Sequence, residues 1–405
     1  MSAFAAEIKL RIPKELSHKG IRAKVLHSQT IRSLRRKYFP GAEPFFTAYS
    51  GNKKALLPQY DDLFPGASRY DSYRSTCLGS GADFFSLEGR GRLGGKNVRL
   101  YEIVPDNANA FLQLQRDAAA VYRTLQVECG EVSKAKFDEV KGRFNRLSEG
   151  DPFIRAALTI YLANTVINGR LRCDKEGRLN VNFGNKSSRR VILDEQNAIA
   201  IQKALTGVDI TCGDFSLSQE GARKGMFYFI DPPYYPYTQN ESNHYGSSRF
   251  GTEDFVRLVA MTQLLGERGC LWMHSNSFYP AVANTMEWNN TPLALVYRID
   301  LMNNFHDQAK NGSQTTYIPE YVARNFRTAG DADYVQEAQI MRDLFDLVLE
   351  AAKSGEDIAD LLAARFTPLS RRLRIRVDTA QEFIAAIEEL KRINNLESGT
   401  QLELC

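Results

Sequence analysis

Residue types that anchor metals and disulfides are sparse here: six cysteines and five histidines among 405 residues. The cysteines, at 77, 129, 173, 212, 270 and 405, stand far apart with no C-x-x-C pair. That argues against a zinc ribbon or a disulfide frame and fits reduced, mostly buried thiols. The histidines, at 18, 27, 244, 274 and 306, are equally scattered, so no protein-held metal is expected. No apolar run approaches the ~18 residues of a membrane helix, so no membrane partner is expected. The opening MSAFAAEIKLRIPKEL carries charges where a signal peptide needs its apolar stretch, and a cytoplasmic location is expected. Fourteen prolines and 28 glycines are too few for a collagen-like or low-complexity chain. What remains is ordinary globular material, 43% apolar, enough at roughly 150 residues per domain for two to three folding units.

Net charge is +4 overall, but its distribution is uneven. Residues 1–60 hold 12 Lys and Arg against 3 Asp and Glu, and residues 111–190 hold 15 against 9. Residues 331–405 reverse the sign, with 9 against 15. The pattern fits a body facing a polyanion with an acidic appendage, although lysine-rich faces are often merely solvated.

Hydrophobic periodicity places the elements. A strand from Arg74 to Leu78 runs into Gly79-Ser80-Gly81 and a short helix through Phe84, Phe85 and Leu87, followed by a second strand from Val98 to Val104. Strand, glycine turn, helix, strand outlines a βαβ unit. Phe111, Leu114, Ala118, Val121, Tyr122 and Leu125 share one helical face. A polar stretch around 128–150 precedes a helix from Pro152 to Thr165, and residues 166–190 read as a loop or hairpin. The α/β rhythm resumes with the apolar run Met226 to Ile230, a helix from Thr252 to Leu265, and a strand from Cys270 to Met273 leading into His274-Ser275-Asn276-Ser277. Late strands are expected at Ala294 to Asp300 and Tyr317 to Asn325, and amphipathic helices at Val335 to Ala352 and Thr379 to Asn394. The expected divisions are a basic N-terminal arm (1–43), an α/β core in two blocks (44–106 and 191–330), a helical insertion (107–190) and a helical C-terminal extension (331–405).

The sharpest chemical signal is Asp231-Pro232-Pro233-Tyr234, directly after an apolar strand. Ligands of parallel sheets bind where strands end, and two consecutive prolines stop the sheet and stiffen the backbone. An exocyclic amino group on a nucleobase is a poor nucleophile because its lone pair is conjugated into the ring. The Asp231 carboxylate can accept one amino hydrogen and a proline carbonyl the other, which favours a pyramidal nitrogen able to attack. Tyr234 offers a face on which a base can stack, worth ~1–3 kcal/mol. The plain alternative is a strand-ending Asp-Pro turn with a tyrosine nearby. A second signal, Thr76-Cys77-Leu78-Gly79-Ser80-Gly81, allows close backbone approach to a nucleoside-type cofactor. Glu102 ends the next expected strand, where an acid that grips ribose hydroxyls belongs. With no third glycine and no G-x-x-x-x-G-K-[ST], this turn points away from NAD and ATP and leaves room for S-adenosylmethionine.

Across roughly residues 44–326 the order of motifs resembles the Dam-type (alpha-group, D12 class) DNA adenine-N6 methyltransferases. Ala48-Tyr49-Ser50-Gly51-Asn52-Lys53 resembles that family's W-A-G-G-K opening, and Cys77 to Gly81 its F-x-G-x-G. Asn164 to Gly184, with Asn168-Gly169, Arg172, Gly177 and Asn180-Val181-x-Phe183-Gly184, resembles its F-N-G…R-x-N-x-x-G-x-F-N-V-P-F-G, and DPPY follows. The resemblance implies a Rossmann-like α/β methyltransferase sheet with a helical DNA-recognition insertion, S-adenosyl-L-methionine as cofactor and double-stranded DNA as substrate. It implies a cofactor pocket of Tyr49, Gly51, Lys53, Leu78, Gly79, Gly81, Glu102, Asp214, Phe215 and Asp231, with Asp231, Pro232, Pro233 and Tyr234 catalytic and the target adenine rotated out of the duplex. Ser75-Thr76 stand where the family has Glu-Pro, and Ala48, Ile167, Arg170 and Asn182 also depart from its pattern. GATC specificity is therefore not carried over.

Asn168, Arg170, Arg172, Arg178, Asn180 and Lys186 are candidate DNA contacts, because Arg and Asn read G and A edges in the major groove. Most such residues touch only phosphates. A cognate restriction endonuclease is a candidate partner, and the sequence is silent on oligomeric state. Rival readings are a cytosine-N4 or RNA base methyltransferase, and a catalytically inactive DNA-binding protein on the same scaffold.

Overall fold

The computed structural model describes residues 37–47, 51–147, 150–169, 171–184, 192–234, 244–245, 248–277, 293–299 and 317–328. Its strands are β1 (Ser72–Ser75), β2 (Asn97–Glu102), β3 (Asp209–Cys212), β4 (Met226–Ile230), β5 (His244–Tyr245), β6 (Ser248–Arg249), β7 (Leu271–Ser277), β8 (Leu293–Ile299) and β9 (Tyr317–Arg324). Seven of them form one sheet in the order β3-β2-β1-β4-β7-β9-β8, while β5 and β6 pair separately. From β3 to β7 all neighbours are parallel; β9 runs antiparallel to both β7 and β8. This is the Rossmann-like α/β class the sequence pointed to, with an antiparallel edge.

Central β4 is buried at every position, as a strand covered on both faces must be. Its alternate residues divide the core. Phe227 and Phe229 meet Tyr60, Phe64, Tyr70 and Tyr73 on one face. Tyr228 is in register with Trp272, whose indole faces Gly266 on the other side. That side is covered by helix α6 (Thr252–Glu267), which packs against β7.

Helices α1 (Ala82–Gly89), α2 (Pro105–Cys129), α3 (Lys134–Arg146), α4 (Pro152–Thr165) and α5 (Glu195–Leu205) precede it. Their starts follow local chemistry. Pro105 and Pro152 stand in first turns, where a missing N–H costs nothing. The side chains of Ser133, Asp151 and Asp194 cap the starts of α3, α4 and α5. In α2 a kink falls at Asp117, whose carboxylate accepts from Ala120 N. Phe45, Phe46, Phe111 and the buried stretch from Ala156 to Val166 join Phe227, Phe229 and Met273 in one hydrophobic cluster, so the helical region and the sheet share a core.

The sequence reading placed no element over 191–225, where α5 and β3 lie, and three further elements depart from its expectations. Strand β1 spans 72–75 rather than 74–78, because the chain turns at once so that Leu78 N reaches Tyr101 O (2.8 Å) and Gly81 N reaches Leu78 O (2.8 Å). Strand β7 runs on through Ser277, since β9 pairs beside it from Met273 to Ser277. The polar stretch around 128–150 contains α3, whose apolar stripe is only Phe137, Val140 and Phe144. Residues 166–169 and 171–184 do form a hairpin, bridged at Val166–Phe183 and Cys173–Leu179. The helices expected beyond 330 lie outside the described residues. No described helix is long and apolar enough to cross a membrane.

Candidate active site

Strand β1 neighbours β2 on one side and β4 on the other, so the sheet winds away in opposite directions from this pair. A crevice at the carboxyl ends of two such strands is the ligand position of this architecture. The turn from Cys77 to Gly81 and the segment from Asp231 to Tyr234 leave the sheet at that point, and Thr76 N bonds Phe229 O at 3.1 Å between them. Gly79 and Gly81 take φ of 52° and 68°, which side chains disfavour. A Cβ on Gly81 would stand 3.2 Å from the Phe85 ring and 3.4 Å from both Leu78 and Phe111. Leu78 is buried. At the end of β2, Glu102 accepts Gly79 N (3.0 Å) and Val104 N (2.9 Å), and burial pushes its carboxyl up to about 7. The Cys77 thiol is raised by burial and by the Asp231, Glu102 and Asp214 carboxylates, so all three acids bear on the start of this turn.

Opposite them, Asn52 accepts Lys54 N (2.8 Å) and starts a helical turn that sends Lys53 inward. Only 5% of the Lys53 side chain is exposed. Its ammonium lies 2.8 Å from Asp231 Oδ1, donates to Gly51 O at 3.1 Å, and stands 3.8 Å from Glu320 Oε2 and 4.5 Å from the Tyr234 ring centroid. Gly51, at φ 84°, is the bend that permits this. The Tyr234 hydroxyl donates to Glu320 and lies 3.4 Å from Ser275 Oγ, which shares a 2.7 Å bond with Tyr60. Burial pushes the Asp231 carboxyl up to about 7, with Lys53 pulling it down and Glu320 and Asp83 pushing it up. Burial and the Glu320 and Asp231 charges hold the Tyr234 phenol well above its ordinary range, so it remains a donor. Pro232 is buried behind the segment and Pro233 is half-buried.

After β3, Asp214 accepts Ser216 N at 3.0 Å and pairs with Arg257. Partial burial works to raise its carboxyl, but the bonds from Ser216 and the Arg257 charge outweigh it and hold the group below its usual range. Phe215 is buried, with the Arg257 guanidinium 4.9 Å from its ring. Ile103 and Leu217, on the same rim, are exposed apolar side chains.

Of the candidate DNA contacts, Arg172 and Asn180 are exposed on the hairpin and joined by a 2.8 Å bond from Asn180 N to Arg172 O. Arg178 is engaged locally by Asp174 and Glu176, each at 3.1 Å. Asn145 on α3 anchors the hairpin, accepting Leu179 N at 2.8 Å and donating to Leu179 O at 3.1 Å. The Asn168 backbone lies in a helical turn over Ile167–Gly169, while Tyr49, Arg170 and Lys186 fall outside the described residues. The strand ends and the helical turn at Lys53 thus bring Lys53, Gly79, Gly81, Glu102, Asp214, Asp231 and Tyr234 to one end of the sheet; the hairpin residues belong to a separate element. Sequence reading missed Glu320, Tyr60 and Arg257, and of His274-Ser275-Asn276-Ser277 only Ser275 bonds Tyr234 among the described contacts. The available signal for Glu320 was a lone acid inside the apolar strand YIPEYVAR.

Among the described residues no group of His, Cys, Asp and Glu side chains is placed to hold a metal. Residues 49–316 match the family model described as D12 class N6 adenine-specific DNA methyltransferase. The type II methyltransferase M.MjaIII of Methanocaldococcus jannaschii is 29% identical over 245 residues, covering 58% of this chain and 84% of its own. A type II methyltransferase of Lactococcus lactis subsp. cremoris, M1.LlaDCHI, is 27% identical over 243 residues, covering 58% and 81%. The DNA adenine methylase of Escherichia coli strain K12 is 25% identical over 228 residues, covering 55% and 77%.

Proposed function

The chain belongs to the D12 class N6 adenine-specific DNA methyltransferase family, so DNA adenine methylation is its reaction class, and we propose that transfer occurs at the segment Asp231 to Tyr234 with S-adenosyl-L-methionine as donor. The observation that carries this is Asp231, a crowded carboxylate beside a glycine turn at the sheet's switch point, paired with the buried Lys53. The residues fit the cofactor. The left-handed bends at Gly79 and Gly81 turn the chain sharply at the strand end, and Glu102 beside them is an acceptor for ribose hydroxyls. S-adenosyl-L-methionine supplies a methyl group already made electrophilic by its sulfonium.

The protein's part is alignment and charge placement. The Asp231 carboxylate and a proline carbonyl draw the two amino hydrogens of the adenine, leaving its lone pair free, and the Tyr234 ring stacks the rotated base. Exposed Arg172 and Asn180 support a hairpin contact with the duplex. The type II names of two relatives fit a place in a restriction-modification system.

Label transfer from tritiated S-adenosylmethionine to mixed-sequence duplex tests the reading. Wild type should label DNA, with N6-methyladenine as the nucleoside recovered after digestion, and Asp231→Ala should lower the rate by about 10²–10⁴-fold. N4-methylcytosine, or equal labelling by the variant, would overturn it.

A further inference from the structure

Two side chains of the site converge on a carboxylate from a distant strand. Glu320 lies in β9, 86 residues beyond Tyr234, and is 2% exposed. It accepts the Tyr234 hydroxyl and stands 3.8 Å from the Lys53 ammonium, which in turn lies 2.8 Å from Asp231. Alternate residues of a strand share a face, so Glu320 projects on the side of the fully buried Val322. An apolar side chain would fill that position without the cost of burying a charge. An acid placed there serves the groups it touches.

We propose that Glu320 is a positioning residue for methyl transfer, tethering the Tyr234 ring in the plane on which the rotated adenine stacks and sharing the Lys53 ammonium with Asp231, so that Lys53 does not wholly neutralise the Asp231 carboxylate. This rests on the reading of Asp231 to Tyr234 as the point of transfer. Tethered at its hydroxyl, the Tyr234 ring is pre-set before a base arrives, so the stack does not have to order it. Lys53 shares its charge between two carboxylates. The groups facing Asp231 are Lys53 from the turn after Gly51, Glu320 from β9 and Asp83 from α1. Lys53 alone among them favours the ionised form that accepts an amino hydrogen.

The two roles separate by substitution. Glu320→Gln keeps an oxygen for the Tyr234 hydroxyl but removes the charge, leaving Lys53 to Asp231. Its acid limb in kcat should move down by about one pH unit, with KM for DNA near wild type. Glu320→Ala removes both roles. Its kcat/KM should fall about 10–100-fold, and 2-aminopurine placed at the methylated position should lose most of its fluorescence rise on binding. In a Tyr234→Phe background, where no hydroxyl remains to tether, Glu320→Ala should change that fluorescence little. Should the alanine variant fail to fold, the glutamine limb and the Tyr234→Phe fluorescence decide alone. An unmoved acid limb in Glu320→Gln, together with wild-type fluorescence in Tyr234→Phe, overturns the proposal. Wild type that labels no adenine counts instead against the function itself, so the two failures are distinguishable.

Discussion

Burial sets the working range of the two carboxyls that face the crevice. Asp231 and Glu102 are each pushed up to about 7, whereas in the unfolded chain both ionise near pH ~4. Between those values the folded protein binds more protons than the unfolded one. Stability from these groups is therefore full below about pH 4 and falls as pH rises through about 7, by on the order of a few kcal/mol. Activity should run the other way, rising through about pH 7 as Asp231 becomes a carboxylate. Melting temperatures of wild type and Asp231→Asn across this window isolate the Asp231 share; parallel profiles would contradict the burial argument. Asp231, Glu102 and the glycines were legible in the sequence because each declares itself beside a strand end. Glu320 was not, because its partners are a lysine and a tyrosine brought to it only by the strand order.

Among the elements, the hairpin carrying Arg172 and Asn180 depends on one side chain of α3. Asn145 satisfies both backbone groups of the buried Leu179. Asn145→Ala would leave that N–H and C=O unpaired, a cost of about 1–3 kcal/mol that the hairpin relieves by lifting off α3. Duplex affinity should then fall while cofactor affinity holds, by fluorescence anisotropy and calorimetry respectively; equal losses in both would mean that the hairpin supports the core instead. Strand β4 and helix α4 were readable almost to the residue, the first from its unbroken apolar run and the second from Asp151-Pro152 at its start. Helix α3 was hidden by a surface of lysines and arginines over three apolar residues. Strand β7 was read short because its last residues are polar and their partner, β9, lies far along the chain.

For the molecule as a whole, charge and topology are the relevant quantities. The excess of Lys and Arg over residues 1–60 and 111–190 predicts duplex binding that weakens steeply with salt, by at least about tenfold between about 50 and about 200 mM. A flat titration by filter binding would remove the polyanion-facing surface. The Rossmann-like α/β class was legible because a strand, a glycine turn and a helix are followed further along by a second apolar strand and helix. The antiparallel edge was not, since β9 enters between β7 and β8 without any local mark. That late insertion has a bearing on biosynthesis. Asp231 and Tyr234 leave the ribosome long before Glu320 does, so a nascent or truncated chain ending anywhere in 278–316 carries the reactive tetrapeptide with Lys53 and Tyr234 still lacking their shared acid. Full speed of methyl transfer would thus await the arrival of one strand, and chains that stop short of it would mark DNA more slowly.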